Sequence, residues 1–332
     1  MHFLSLWQPD DMPAAAPPAL VQLADVQAAA DRIVGDVLLT PVVSAGPDLV
    51  DLQLKAECLQ PTGAFKLRGA SNAVALLDDA RRAAGVVTHS SGNHGQALAR
   101  AASRHGVRCT VVMPQTSVQA KIDATRAWGA HVELVPEGER GRACAEIAAR
   151  TGATVVPPYE DVAVIAGQGT VGLEICRQVP DVQTVLVPVG GGGLISGVAV
   201  AVKATLPHVR VIGVEPEVAG DAAASFAEGA LVTWEVGQTS TTVADGLRAP
   251  GLGAINFEHV RALVDAVMTV SEQQILDAVR RIAHRSRLVA EPSGAVTTAG
   301  YLAHADGGSF GRTVAIVSGG NVDAAAYARM LA

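Results

Sequence analysis

The chain has 332 residues, enough for two lobes or one large α/β domain, and 49% of them are apolar, so a large core can form. Aromatic residues make up only 3%, the net charge is -7, and basic residues are scattered singly or in pairs. These values argue against nucleic acid and anionic membranes as main partners. The N-terminus has no cationic region or long apolar run, so we expect no signal peptide. The four widely spaced cysteines indicate reduced thiols in a cytoplasmic protein.

Strand and helix patterns alternate along most of the chain. After a flexible lead-in over residues 1–19, a helix is predicted at about 21–34, and another begins within the segment 61–70. Strands are then predicted at 86–88, 108–113, 132–135, 154–156, 185–189, 209–214 and 313–317, and helices at 96–104, 119–128, 143–150, 167–178, 194–206 and 271–286. This alternation is typical of an α/β protein with parallel-rich sheets covered by helices. Residues 216–257 are predicted to be irregular.

Lys66 is the first residue with a chemical interpretation. It follows Pro61 and Gly63 and opens an alanine-rich stretch, which places it at the start of a helix. Its neighbours Phe65 and Leu67 are apolar, and burial of an amine lowers its pKa because the charged form is disfavoured. A neutral amine is a nucleophile, and the carbonyl compound that it most often meets in proteins is pyridoxal phosphate. A lysine that extends into solvent from a helix start is the alternative.

Four consecutive glycines, at 190–193, lie between an apolar strand and a helix. Without side chains, successive backbone N–H groups can converge on one anion, and the helix N-terminus adds positive potential. The segment lacks the Lys-Ser/Thr of a P-loop and matches the dinucleotide-binding fingerprint only loosely. It therefore indicates a phosphate-binding loop, with a flexible turn as the alternative.

The segment 88–96 also joins a strand to a helix, and it offers hydroxyl, amide and N–H groups that suit a carboxylate. Asn93 can donate to a phenolate oxygen, and Ser91 can give or take a proton. A simple helix cap would explain one serine but not the whole cluster. His89 and His94 lack the partners that a zinc site needs.

Two other strand ends carry polar residues. Ser318 follows the last strand, where the carboxyl ends of parallel strands open onto a ligand crevice, and it can hydrogen-bond a ring nitrogen. Glu215 and Asp221 flank a free carbonyl after another strand, an arrangement that suits a hard cation or, alternatively, a solvated loop.

Five segments, taken together, resemble the serine/threonine dehydratase and serine racemase family: residues 57–70, 90–99, 162–170, 190–193 and 318–321. These are fold type II pyridoxal phosphate enzymes, similar to the tryptophan synthase β subunit. The resemblance implies a two-domain α/β fold with the cofactor in the interdomain cleft. It further implies a large cofactor-binding domain over 1–80 and 163–332, and a small substrate-loop domain over 81–162.

The resemblance also implies roles for individual residues. Lys66 is the Schiff-base lysine, Phe65 packs against the ring, Asn93 bonds the ring hydroxyl oxygen and Ser318 faces the pyridine nitrogen. The phosphate is bound by the backbone N–H groups of Gly190, Gly191, Gly192, Gly193 and Leu194. The substrate carboxylate is surrounded by Ser90, Ser91, Gly92 and His94. The family's magnesium or calcium site is matched in spacing by Glu215, the carbonyl of Ala219 and Asp221.

The implied reaction is a β-elimination. The substrate amine displaces Lys66 from its imine, and the freed lysine removes the Cα proton. A neutral Ser318 at the ring nitrogen favours early loss of the β-hydroxyl, which yields a 2-oxo acid and ammonia. We therefore expect a threonine/serine ammonia-lyase that acts on a small amino acid. Ser91 matches the racemase branch, whereas many bacterial dehydratases have alanine there, so a serine racemase with side elimination is an alternative.

Other functions stay open at this point. These are a dehydratase for a different β-hydroxy amino acid, a β-replacement enzyme similar to cysteine synthase, and a non-catalytic binding protein, which the intact Lys66 disfavours. We expect a homodimer or a homotetramer without nucleic acid or membrane partners.

Overall fold

The computed structural model describes residues 19–90, 92–304 and 310–332. The strands in these ranges are β1 (Val42–Ser44), β2 (Leu52–Ala56), β3 (Val86–His89), β4 (Cys109–Pro114), β5 (His131–Val135), β6 (Thr154–Val155), β7 (Thr184–Pro188), β8 (Arg210–Pro216), β9 (Ala266–Val270) and β10 (Thr313–Val317). They form two sheets. One has six strands in the order β1-β2-β10-β7-β8-β9, and the other has four in the order β5-β4-β3-β6.

Strand pairing is parallel throughout both sheets except between β1 and β2. This confirms the parallel-rich α/β architecture that the alternating pattern predicts. The strands of the four-stranded sheet all lie between residues 86 and 155, inside the predicted small domain. The domain boundaries themselves stay a prediction.

The helices in the described ranges are α1 (Leu23–Arg32), α2 (Lys66–Ala75), α3 (Asp79–Ala84), α4 (Asn93–Arg104), α5 (Gln119–Ala127), α6 (Arg140–Thr151), α7 (Val162–Gln178), α8 (Gly193–Thr205), α9 (Asp221–Glu228), α10 (Val236–Thr239), α11 (Ala254–Leu263), α12 (Glu272–Arg281), α13 (Pro292–His304) and α14 (Ala324–Leu331). None of them is long and apolar enough to cross a bilayer.

Helices cover the six-stranded sheet on both faces. Side chains alternate along a strand, and Val185 and Val314 pack with residues of α7 and α8, whereas Leu186 and Ala315 pack with residues of α12 and α13. A parallel sheet buried on both faces requires strands that are apolar throughout, and every residue of β7 and β10 is buried.

Most predicted elements are confirmed within a few residues. Three helices begin at least three residues earlier than predicted, α4 at Asn93, α6 at Arg140 and α7 at Val162. In α7 the cause is a cap, because the Asp161 carboxylate accepts a hydrogen bond from the Val164 amide at 2.9 Å.

The prediction of irregular structure over 216–257 is wrong where this range contains α9, α10 and the first residues of α11, and it is confirmed for the loops between these helices. Short helices that are separated by glycines and polar residues give no long apolar period to detect. Ser271 caps α12 as predicted, but the α-helix ends at Arg281 and continues as a π-turn to Ser286. Residues 1–18 of the predicted lead-in lie outside the described residues.

Candidate active site

The lysine segment is joined directly to the end of the last strand. Ala64 forms an isolated antiparallel bridge with Gly319, and the Phe65 amide donates to the Ser318 carbonyl at 3.0 Å. The predicted lysine and the predicted ring-nitrogen partner are therefore brought together, although 252 positions separate them (318 minus 66).

Lys66 is the first residue of α2 and is partly buried. Its Nζ donates to the Pro158 carbonyl at 2.6 Å and lies 5.1 Å from the centre of the Phe65 ring. Burial lowers the pKa of this amine to about 8. A partly desolvated amine of this kind can release its proton near neutral pH and then act as a nucleophile or a base.

The glycine loop follows β7 and leads into α8. In the described part of the chain, the backbone amides of residues 190–194 donate to no protein acceptor. The ring of Tyr159 lies against Gly191 so closely that a Cβ at that position would approach it to 2.4 Å. The loop thus exposes several unpaired N–H groups next to a helix N-terminus, and these fit the phosphate of pyridoxal phosphate.

Asn93 lies in a chain of side-chain amides and carboxyls. Its Nδ2 donates to Glu291 Oε1 at 2.6 Å, and its Oδ1 accepts from Asn321 Nδ2 at 2.8 Å. Asn321 Nδ2 also donates to the Thr62 carbonyl at 2.7 Å. Both ends of the Asn93 amide are therefore fixed, and one amide hydrogen stays available for a phenolate oxygen.

Glu291 is buried, and burial raises the pKa of its carboxyl to about 8, with the nearby charge of Asp245 adding to the effect. It is therefore protonated and neutral at pH 7. Ser318 is buried close by, and its hydroxyl makes a long hydrogen bond of 3.4 Å to the Ser293 carbonyl. Glu291 and Ser318 therefore provide neutral groups in this part of the site. Neutral groups suit a cofactor whose ring nitrogen is not kept protonated by the protein.

The predicted carboxylate loop is described only in part, because Ser91 lies outside the described residues. Ser90 Oγ accepts from the Gly92 amide at 3.3 Å. His94 is buried with Nε2 2.9 Å from the Val156 carbonyl, and its Nδ1 has no hydrogen-bond partner in the described ranges. Burial, followed by the charge of Lys66, lowers the pKa of His94 to about 3, so its ring is neutral and donates to Val156. Its predicted contact with the substrate carboxylate stays a prediction.

The predicted cation ligands lie together at the end of β8. Glu215 and Asp221 are buried, and Glu215 accepts from the backbone amides of Ala222 and Ala223 at 3.3 and 2.7 Å. Among the residues that the structure describes, Asp221 Oδ2 has no hydrogen-bond partner. Burial raises the pKa of Glu215 well above its usual range and that of Asp221 to about 7. A divalent cation would allow both groups to ionise. No group of three or more His, Cys, Asp or Glu side chains that could hold a metal occurs among the described residues.

Three residues of the site escaped the sequence analysis: Pro158, Tyr159 and Glu291. The first two follow β6, and their contacts with Lys66 and Gly191 span long sequence separations. A usable signal was present for Glu291, since a lone carboxylate between an apolar run and Pro292 at the start of α13 is a candidate for burial. Arg140 is exposed at the start of α6, yet its charge contributes to lowering the pKa of His89 and opposes the raised pKa of Tyr159.

Comparison with known proteins gives the family. Residues 36–319 match the family described as pyridoxal-phosphate dependent enzymes. The chain is 45% identical over 278 residues to L-threonine ammonia-lyase of Thermotoga maritima, which covers 82% of this chain and 68% of that protein. It is 42% identical over 305 residues to β-hydroxyaspartate dehydratase of Paracoccus denitrificans, covering 90% and 96%. The solved structure of maize serine racemase superposes with a TM-score of 0.88 at 37% identity, covering 94% of this chain and 97% of that one.

These similarities confirm the predicted resemblance and the fold type II architecture. The family match over residues 36–319 includes the strands of both sheets and the segments from which the resemblance was inferred, except the last two residues of 318–321, and the glycine loop and the lysine fit the cofactor. The chain therefore belongs to the pyridoxal-phosphate dependent enzyme family, and it is a lyase of that family.

Proposed function

We propose that the protein is an ammonia-lyase that converts L-threonine, L-serine or a closely related β-hydroxy amino acid to a 2-oxo acid and ammonia. The observation that carries this proposal is the partly buried Lys66 amine, whose pKa is lowered to about 8, next to a glycine loop with unpaired amides. The similarity to L-threonine ammonia-lyase over 278 residues supports the same reaction.

In this proposal the chain's own residues divide the work. The amides of residues 190–194 hold the phosphate, Asn93 donates to the phenolate oxygen and Ser318 faces the ring nitrogen. Bound pyridoxal phosphate supplies an electron-withdrawing ring that stabilises negative charge at the substrate Cα. Lys66 then takes the Cα proton, because its amine is neutral in an appreciable fraction of molecules near pH 8. Glu291 and Ser318 are both neutral, so neither of them holds a proton on the ring nitrogen. An unprotonated ring nitrogen favours elimination.

Arg140 supports a second substrate, a β-hydroxy amino acid with an acidic side chain. Its cationic charge acts on both His89, at the end of β3, and Tyr159, against the glycine loop. Such a position suits a second carboxylate on the substrate. The similarity to β-hydroxyaspartate dehydratase over 305 residues agrees with this candidate.

Serine racemase with side elimination is the third candidate, and it depends on Ser91 as an acid/base on the ring face opposite Lys66. The similarity to maize serine racemase supports it.

We also propose that Glu215, the Ala219 carbonyl and Asp221 bind Mg²⁺ or Ca²⁺, since Asp221 Oδ2 is buried and has no hydrogen-bond partner within the described part of the chain. We further propose that the protein is cytoplasmic and forms a homodimer or a homotetramer. Light scattering would measure the mass of the oligomer.

The decisive experiment is a product assay on L-serine, L-threonine and both diastereomers of 3-hydroxyaspartate. It should measure the 2-oxo acid, ammonia and the D-isomer. We expect 2-oxo acid as the main product and no turnover by Lys66→Ala. A Lys66→Ala variant that retains turnover, or a wild type without visible cofactor absorbance, would contradict the proposal.

A further inference from the structure

Arg68 lies in a buried cluster of charges just beyond the catalytic lysine. It is two positions after Lys66 in the first turn of α2, and its side chain has no solvent exposure. Nε and Nη2 donate to the two carboxylate oxygens of Glu57 at 2.8 and 2.7 Å. Nη1 and Nη2 donate to the two oxygens of Glu174 at 2.7 and 2.9 Å. The guanidinium is thus held by two carboxylates at once, each in a paired geometry.

These carboxylates belong to elements on either side of the lysine segment. Glu57 lies in the short 3-10 turn before the segment, and Glu174 lies in α7. Although burial opposes it, the charge of Arg68 lowers the pKa of Glu57, so the buried Glu57 is ionised. Lys55 completes the cluster, because its Nζ donates to Glu174 and, at 2.7 Å, to the Thr40 carbonyl.

Gly69, the residue after Arg68, also holds the first turn of α2 against α7. A Cβ at Gly167 of α7 would lie 2.6 Å from the Cα of Gly69, so the two helices touch backbone to backbone. The Gly69 amide also donates to Gln168 Oε1 at 3.1 Å. The start of α2 therefore has little freedom to slide along α7 while Arg68 holds both carboxylates.

We propose that Arg68 is the positioning residue for Lys66: by joining Glu57 to Glu174 it fixes the first turn of α2, and so the place from which the lysine amine acts. A buried ion pair is weak support for stability alone, because its desolvation offsets the attraction. A role in fixing geometry explains why an arginine with five donors stands here. This inference rests on the proposed role of Lys66.

The test compares Arg68→Lys with Lys55→Met in the holoenzyme. Both substitutions disturb the same buried cluster, but only the first removes the paired contacts from α2. For each variant, kcat, KM, melting temperature and the visible circular dichroism of the bound cofactor are measured. We expect Arg68→Lys to lower kcat by about 10- to 100-fold, as misplacement of a reacting group by about 1 Å can do. KM should change less, and the visible dichroism should weaken. Lys55→Met should lower the melting temperature without these losses.

Glu174→Gln provides the same readouts if Arg68→Lys does not fold, because it keeps the size of a side chain that is 15% exposed. Equal losses of kcat in Arg68→Lys and Lys55→Met at equal loss of melting temperature would overturn the inference. In parallel, borohydride reduction of wild-type holoenzyme followed by peptide mass analysis locates the cofactor. A label elsewhere than on Lys66 would refute the proposed function. A label on Lys66 with equal losses would refute only the role of Arg68.

Discussion

Asn93 and Glu291 are joined by a hydrogen bond of 2.6 Å across 198 positions of the chain. Asn93 begins the helix after the four-stranded sheet's β3, and Glu291 immediately precedes α13, which packs on the six-stranded sheet. The residue predicted to face the cofactor's phenolate is thus oriented by a carboxyl from the other half of the molecule.

Glu291→Gln should keep the activity and remove part of the pH dependence of stability. The folded protein holds the Glu291 proton up to pH about 8, whereas the unfolded chain loses it near its ordinary value of 4.5. Between these values the folded state binds more protons, so this group makes stability fall as pH rises, by at most about 1.4 kcal/mol per pH unit. Glutamine has no proton to lose, and its oxygen still accepts from Asn93. Thermal unfolding from pH 5 to 9, with and without pyridoxal phosphate, measures the difference. An unchanged pH profile in Glu291→Gln would contradict the protonated state.

Tyr159→Ala should weaken cofactor binding, while Tyr159→Phe should preserve it. The ring packs against Gly191 and Gly193, and its removal leaves the glycine loop without support on that side. Truncation of a fully buried aromatic residue lowers the free energy of unfolding by about 3–5 kcal/mol, and for the partly buried Tyr159 we expect a loss of stability of about half of this in addition to the weaker cofactor binding. Titration of pyridoxal phosphate by visible absorbance gives both affinities. Equal affinities in the two variants would show that the ring does not support the loop.

Arg140→Ala should act on the choice of substrate. If Arg140 binds a second carboxylate, its loss should lower kcat/KM for 3-hydroxyaspartate by about 10-fold or more, the value of one charge-assisted hydrogen bond. The values for serine and threonine should change little. Arg142→Ala is the matched control, because Arg142 lies on the same helix and pairs with Glu139 and Glu146 on the surface. A parallel loss for all substrates would remove Arg140 from substrate selection.

Ser91→Ala separates elimination from racemisation. Lys66 can reach only one face of a planar intermediate, so racemisation needs a second acid/base on the other face. We expect the variant to retain elimination of the L-substrate and to lose any D-serine formation and any elimination of D-serine. Chiral chromatography of the reaction with L-serine measures this. If the wild type neither forms nor consumes D-serine, the protein is a plain dehydratase.

Removal of divalent cations should destabilise the protein. A cation that binds only the folded state adds about 2.7 kcal/mol to the free energy of unfolding when its free concentration is a hundred times its dissociation constant. A chelator should therefore lower the melting temperature and activity of the wild type, and Asp221→Ala should abolish this response. Added Mg²⁺ or Ca²⁺ should restore the wild type. If the chelator changes neither the melting temperature nor the activity of the wild type, Glu215 and Asp221 do not bind a cation.

The sequence was informative where a signal is local. Three motifs were detected because all their residues lie within a few positions of one another. They are Lys66 after Pro61 and Gly63, the four glycines after an apolar strand, and the cap at Ser271. Glu291 and Tyr159 were missed because their roles arise from partners more than thirty positions away, Asn93 for one and Gly191 for the other (191 minus 159 is 32). The helices α9 and α11 were missed because tertiary packing, rather than a long apolar period, stabilises them.

The cluster of Lys55, Glu57, Arg68 and Glu174 holds two positive and two negative charges. A compact set with no net charge has a field that decays much faster with distance than that of a single ion. The lowered pKa of Lys66 agrees with this, because burial is its cause even though Arg68 lies two positions away. If the four ions fix the first turn of α2 as we propose, they do so without adding a net charge that would shift the pKa of the Lys66 amine.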